Sequence, residues 1–496
     1  MSAIILSRFM IELTSPLSIN SSDRELLLDN KLARDWNGLP YIPGTSITGV
    51  LRSLISTLEP ELDEDKWFGC TSTENGDSRG SASQIVITDG LALNSHSQLL
   101  SEPLIMQNEM INDPLYSIYM SNYFRDRTKI NLRGVSSNRA KFDVLYLPAG
   151  ARFVFDVYAI LNDEETVERD KKIFDRILAY MGNNGFTLGS GKNNGFGRFV
   201  VKGSYYKQVD LSDMSSSIKV IRDFTENRIV PLCKDPYFSS NSEDAPIDKY
   251  EKLFSFKVKV NGSWKFGKGD YSANIKDKDK QDNSKTDFSM SDEKIVWNNN
   301  VFESEGLTRD LVLTGSALKG LIAHRIDYHL RRLNGNFAGS VKLDDDGNIS
   351  YSSELLSILG KVDSNNNSAE AGKIIMIDQP VNYEQKNVIK RTHNKIDRFT
   401  GGVINGALFT EERIYDPSFS IEMLIDRNAL NTLNDNLKKA ICCTIEDIKL
   451  GTLPLCSSSS RSSCSVEISP DTEFINQALY EQAKNRNNGG GLLWII

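Results

Sequence analysis

The chain has 496 residues, 39% of them hydrophobic and 25% charged. At roughly 100–200 residues per domain, that length excludes a single core, and the composition excludes a disordered or fibrous chain. A net charge of -8 excludes a uniformly basic nucleic-acid binder, though not a basic groove on an acidic body.

No apolar run approaches the roughly 20 residues of a membrane span. Residues 1–14 lack the basic start and small-residue cleavage site of a signal peptide, so a cytoplasmic location is expected. Six cysteines are too few for a disulfide scaffold. Cys442, Cys443, Cys456 and Cys464 contain no CxxC pair, so they read as reduced thiols rather than a zinc site.

Taken in chain order, an apolar strand over residues 3–13 opens the first half. A polar loop comes next, then LPYIPGTSITGVLRSLI over 39–55, where a Pro-Gly-Thr-Ser turn leads into a helix predicted over 46–58. Residues 128–158, TKINLRGVSSNRAKFDVLYLPAGARFVFDVY, begin basic and end in an alternating apolar strand. A helix over 166–181 and a glycine-rich turn, LGSGKNNGFGRFVV over 188–201, close the half.

The same order then returns. It runs through a strand over 252–260, a long polar loop, LVLTGSALKGLIAHRI over 311–326, THNKIDRFTGGVINGALFTEERIYDPSFSIEML over 392–424 and LPLCSSSSRSSCSVEI over 453–468. Helices are expected over 316–333 and 428–448. Three matching segments in one order indicate a duplication: a first unit over 1–235, a linker over 236–249 and a second unit over 250–496. Strands mixed with helices predict an α+β fold with a ferredoxin-like βαββαβ core in each unit. Residues 268–294, dense in Lys, Asp and Ser, read as a long mobile loop.

The glycines of 185–197 do not form a nucleotide-binding loop, because Asn193 stands where Ser or Thr is needed after Gly191-Lys192. Two readings of them stay open: close approach of the backbone to a large partner, or a tight turn from helix to strand. The helix starts at Thr45-Ser46 and at Ser316 offer unpaired N–H groups that suit a phosphate or are ordinary caps. Two basic runs stand at equivalent places. One comprises Arg125, Arg127, Lys129, Arg133, Arg139 and Lys141; the other comprises Lys386, Lys390, Arg391, Lys395 and Arg398. A charge run is usually a solvated face, but recurrence in a duplicated unit favours a track for a polyanion.

IPGTSITGVLRS, GFTLGSGKNNGFGRF and KIDRFTGGVINGALFTEERIY together resemble the RAMP superfamily of CRISPR proteins. In particular they resemble backbone subunits of type III effector complexes, here as a tandem fusion of the type III-D kind. The resemblance implies RRM-like units with inserted loops, holding a guide RNA. It also implies a protruding hairpin in each unit, the thumb, that kinks the guide–target duplex. Guide contacts are expected at Thr45, Ser46, Arg52, Arg125, Arg127, Lys129, Arg133 and Arg139. Others are expected at Gly189, Gly191, Lys192, Ser316, Lys319, Arg325, Lys395 and Arg398.

The family's target-RNA cleavage needs an aspartate in the loop before the Pro-Gly-Ser segment. Asp29 stands there in the first unit, and Asp292 is the best match in the second, each expected to hold Mg²⁺ or another divalent cation. RNA carries its own nucleophile, the 2′-OH, so one carboxylate with a metal and a kinked duplex can suffice. The implied partners are a CRISPR guide RNA, a single-stranded target RNA and further type III subunits, with no membrane. Two other readings are a non-catalytic guide-binding scaffold and a guide-processing endoribonuclease. The latter class commonly uses histidine, and His324, His329 and His393 lie near the motifs in one half only.

Overall fold

The computed structural model describes residues 3–21, 31–74, 77–100, 112–132, 134–161, 165–212, 214–226, 247–274, 286–336, 350–363, 368–457, 464–469, 473–477 and 479. In the first unit, β1 (Ala3–Leu13) is buried on both faces, with Ile5, Phe9, Ile11 and Leu13 on one at most 1% exposed and Leu6, Arg8 and Met10 on the other at most 5%. Such a strand belongs at the centre of a sheet. It pairs antiparallel with β5 (Arg152–Leu161) and β6 (Phe199–Asp210), Phe9 facing Phe155 on one side and Ser204 on the other. β2 (Ile85–Ile87) extends the sheet from β5.

Two helices cover the inner face. α1 (Gly44–Leu58) buries Ile47, Leu51, Leu54 and Ile55, one apolar stripe at helical spacing. α2 (Val167–Ala179) adds Phe174, Ile177 and Leu178. The sheet order β6-β1-β5-β2 with the chain order βαββαβ is the ferredoxin-like arrangement.

The second unit repeats it. β7 (Tyr250–Asn261), α3 (Gly315–Leu333), β10 (Ile374–Met376), β13 (Ser418–Asp426), α4 (Asp435–Lys449) and β14 (Ser465–Ile468) give the sheet order β14-β7-β13-β10. Leu318, Ile322, Ile326 and Leu330 of α3 and Leu437, Ile441, Ile445 and Ile448 of α4 close its core. Between the second and third core strands each unit extends a hairpin. In the first unit it is β3 (Tyr123–Ile130) with β4 (Ser136–Tyr146), and in the second β11 (Val388–Ile396) with β12 (Val403–Tyr415).

Two expectations need correction. The stretch 268–294 is not one mobile loop. Only residues 275–285 lie outside the described ones, and β8 (Ser291–Ile295) pairs with β9 (Leu307–Leu313) with Ser289, Asp292 and Glu293 buried. The helix expected over 428–448 is two. Leu433 leaves the first in extended backbone, and the Asn434 side chain accepts from Leu437 N at 2.7 Å to start α4. Of the expected linker, residues 236–246 lie outside the described residues, while Ile247 O accepts from Asn183 Nδ2 at 2.8 Å.

The units interlock through β8 and the residues immediately after it. Ile295 and Phe302 enter the first unit's core, and Trp297 Nε1 donates to Gly150 O at 2.7 Å beneath the Arg152 guanidinium, 3.9 Å from the ring centre. Among the described residues no helix is long and apolar enough to cross a membrane.

Candidate nucleic-acid interface

The first core helix of each unit, α1 and α3, opens on an aspartate. Gly44 N donates to Asp89 Oδ1 at 2.7 Å, and Gly315 N donates to Asp378 Oδ1, also at 2.7 Å. A carboxylate at a helix N-terminus complements the dipole and takes the N–H group that a phosphate would use. Thr45 stands exposed beside this cap, while Ser46 and Ser316 are half-buried. Sequence reasoning passed over both aspartates, although IVITD over 85–89 and IIMID over 374–378 repeat; their role as caps required the fold.

The helical cations are held by their own units. Arg52 Nε donates to Glu64 and its Nη1 to Gly69 O at 3.1 Å. Arg325 Nε donates to Asp447, which also meets His329. Lys319 Nζ donates to Ile374 O at 3.3 Å, and burial pushes its pKa down to about 8. Arg52 and Arg325 are therefore paired side chains rather than open phosphate ligands.

The glycine-rich turn resolves as a turn, packed on two sides. Gly197 N donates to Pro16 O at 2.8 Å and Leu188 N to Gly197 O at 2.9 Å. Gly195 has φ +94°, and a Cβ there would lie 2.5 Å from Asp378 Oδ1, so the close partner is the second unit. Asn193 Nδ2 reaches Gly372 O at 2.8 Å on the same side. Gly189 lies against Ser18 O, Gly191 is half-buried, and Lys192 is exposed. Sequence reasoning passed over Arg198, whose Nε and Nη2 are buried without a hydrogen-bond partner. It lines a cavity of about 400 Å³ with Asn183, Asn184, Thr187 and Phe186.

The first thumb turns its best cation inward. Arg125, 2% exposed, donates from Nε to Asp292 Oδ1 at 2.8 Å, and its Nη2 meets both Asp292 and Asp378, the latter at 2.7 Å. Burial works against its charge, but Asp378 and Asp292 outweigh it and hold the guanidinium above its ordinary value. Arg127 packs beside it, both stacked over Phe196. Burial, and then Arg125, push Arg127 down to about 10, and its Nε and Nη2 have no hydrogen-bond partner. Lys129 is exposed; Lys141 pairs with Asp126 at 2.8 Å. Arg133 lies outside the described residues, and of Arg139 only the backbone, in β4, is described.

Asp292 thus differs from its expectation. It is a strand residue with a side chain 7% exposed, and both of its oxygens bind Arg125 while Tyr146 Oη stands 3.4 Å away. Among the described residues no group of three His, Cys, Asp or Glu side chains comes together to hold a metal ion. With each oxygen already accepting from a buried guanidinium and the side chain 7% exposed, Asp292 is a poor fit to Mg²⁺, which keeps several waters around it. Asp29 lies outside the described residues.

The second thumb is the open cationic element. Lys390, Arg391, Lys395 and Arg398 are exposed along it, Arg391 lying 5.2 Å from the Tyr415 ring centre. At its tip Asp397 Oδ1 accepts from Phe399 N and Thr400 N, both at 2.8 Å, building a rigid turn. That turn leaves Phe399 99% exposed, with Ile396, Val403 and Leu408 each above 60%. Basic side chains interleaved with exposed apolar ones fit a backbone-tracking, base-stacking surface. Sequence reasoning found the cations and missed the aromatic tip.

The family model for the RAMP superfamily matches residues 10–200 and 298–456, one stretch in each unit and more than half of the chain. No curated protein matches it. Duplicated ferredoxin-like cores, a thumb in each, a basic second thumb and this match agree: the chain belongs to the RAMP superfamily of CRISPR-associated RNA-binding proteins.

Proposed function

We propose that the chain is a guide-RNA-binding backbone subunit of a type III effector complex, supplying two successive positions of the backbone in one polypeptide. Its neighbours are further subunits of that complex, and its ligands are the CRISPR guide RNA and a single-stranded target. The first unit cuts the target at Asp29; the second is scaffold. The observation that carries the reading is the second thumb, where Lys390, Arg391, Lys395 and Arg398 lead to a fully exposed Phe399. A cationic strip binds phosphates without regard to sequence, and an exposed ring can part stacked bases.

The engagement of Asp292 with Arg125 favours the scaffold role for the second unit. At Asp29 the chemistry is proton handling at the attacking 2′-OH of the target, with a divalent cation, Mg²⁺ in this reading, supplying charge neutralisation when bound. Guide processing by histidine is disfavoured, since His329 is 4% exposed and bound to Asp447.

The test is reconstitution of the complex with guide and labelled target. Asp29→Ala should remove target cleavage while guide retention stays unchanged, and chelation should do the same until Mg²⁺ is restored. Persistence of every product in that variant would reduce the first unit to scaffold. Native material free of RNA of uniform length would sink the backbone reading itself.

A further inference from the structure

The glycine turn of the first unit has a counterpart that contains no glycine. Leu188–Val201 and Leu455–Ile468 match without a gap, which sets Cys456 at the place of Gly189 and Cys464 at that of Gly197. Strand register fixes the match independently. Phe199 pairs with Leu13 in the first unit and Val466 with Val260 in the second, and Leu13 and Val260 each come one residue after the position that faces the start of the third core strand.

In the first unit the two ends of the turn are held together by Leu188 N donating to Gly197 O, with Gly189 and Gly197 at φ +72° and +78°. Cysteine does not adopt that backbone cheaply. In the second unit the same two positions bring their sulfur atoms together: Cys464 Sγ lies 2.6 Å from Cys456 Sγ. Each end is anchored separately. Leu455 O accepts from Trp264 Nε1 at 2.8 Å, and Ser457 N donates to Lys265 O at 2.8 Å. Cys464 leads directly into β14, which is laddered to β7.

We infer that Cys456 and Cys464 form a reversible disulfide that ties Leu455–Ser457 to the start of β14, two positions that the first unit ties through Leu188 N and Gly197 O. The oxidant is a small-molecule disulfide such as glutathione disulfide. The half-buried Cys464 thiolate attacks one sulfur of the oxidant and releases one glutathione thiolate. Cys456, 7% exposed and in contact, then attacks Cys464 Sγ and expels nothing but the second glutathione. The two protons lost by the protein thiols leave with the two glutathiones, so one dithiol and one glutathione disulfide become one protein disulfide and two thiols. Cys442 and Cys443 stay outside this chemistry. Burial pushes the Cys442 thiol up to about 12 and raises that of Cys443, and Cys443 faces Arg332 instead.

The experiment uses the full chain. It is exposed to glutathione disulfide, natively and in urea, alkylated, digested with trypsin and read by mass spectrometry. Cleavage after Arg461 separates the two cysteines, so a disulfide shows as two joined peptides two hydrogens lighter than their sum. The joined species should form in the native chain, be released by dithiothreitol, and form roughly tenfold more slowly in urea, where the bonds to Trp264 and Lys265 and the pairing of β14 with β7 no longer hold the thiols together. It should vanish in Cys456→Ser and in Cys464→Ser and persist in the double variant Cys442→Ser, Cys443→Ser. Two alkylated free thiols after oxidation, a joined peptide containing Cys442 or Cys443, or equal rates in native and unfolded chain would each overturn the assignment.

Discussion

Asp292 accepts a guanidinium from 167 residues earlier in the chain, and that pairing decides what its removal does. Asp292→Ala leaves Arg125 buried with Asp378 as its remaining carboxylate. Leaving a buried charge wholly unpaired costs about 3–5 kcal/mol, so with Asp378 still in place the stability read from urea titration should fall by less than that, while cleavage per folded molecule is unchanged. A variant of full stability that lost one target cut would restore Asp292 as a catalytic group. Lys319 gives a pH-dependent counterpart. Its pKa is about 8 when folded and 10.5 in its ordinary state, so the unfolded chain holds the proton more tightly. Stability from this residue therefore rises with pH between about 8 and 10.5, and the full penalty stands below 8. Lys319→Met should be at least as stable as the native chain at about pH 7 and lose its advantage by about pH 10, in urea titrations. A difference independent of pH would mean that the ammonium is solvated. Neither pairing was legible in the sequence. Arg125 read as one more member of a basic run, because charge along a chain does not tell which face of a strand meets a distant carboxylate.

Among the elements, the second thumb can be altered without touching a core. Phe399→Ala should leave the melting temperature unchanged, since the ring is 99% exposed, yet weaken binding of a guide–target duplex by about 1–3 kcal/mol, the worth of one stacked base. Charge reversal at Lys395 and Arg398 together should lower guide affinity and flatten its dependence on salt by about two phosphate contacts. Equal affinity at every salt concentration would remove the thumb from the RNA path. Most of this architecture was legible, because strands over 3–13 and 252–260 and helices at 46 and 316 repeat in one order. The features that escaped were governed by single polar groups and by pairing with distant strands. Asn434 starts a new helix where the apolar period runs on, and pairing with β9 orders a segment whose Lys, Asp and Ser content resembles a loop.

In the whole molecule the duplicated faces are not equally covered. Ile375 on β10 is fully buried, and the Asp378 side chain is 8% exposed where the first thumb and glycine turn press on them. The matching Val86 on β2 is 36% exposed, and Asp89 is exposed as well. A neighbouring RAMP unit with an arginine at the base of its thumb fits that bare face, by continuity with the contact inside this chain. Val86→Asp should leave the isolated chain folded and reduce its recovery in the assembled complex, as read by native mass spectrometry. Undiminished assembly in this variant would place the neighbour elsewhere. Fold symmetry was legible from the repeat; which copy of a face is covered was not, because that depends on order of connection.

The contact of Arg125 with Asp378 joins unlike surfaces, the hairpin base of one unit and the helix start of the next. Such head-to-tail contacts give a structure a direction, unlike two-fold contacts, which cancel it. The chain carries one of these contacts inside the polypeptide, so its two units always arrive together, adjacent and in the same sense. If the chain takes the place proposed for it along a guide RNA, the pair can be laid down only facing one way, and the interval between its two thumbs is set at translation rather than by assembly.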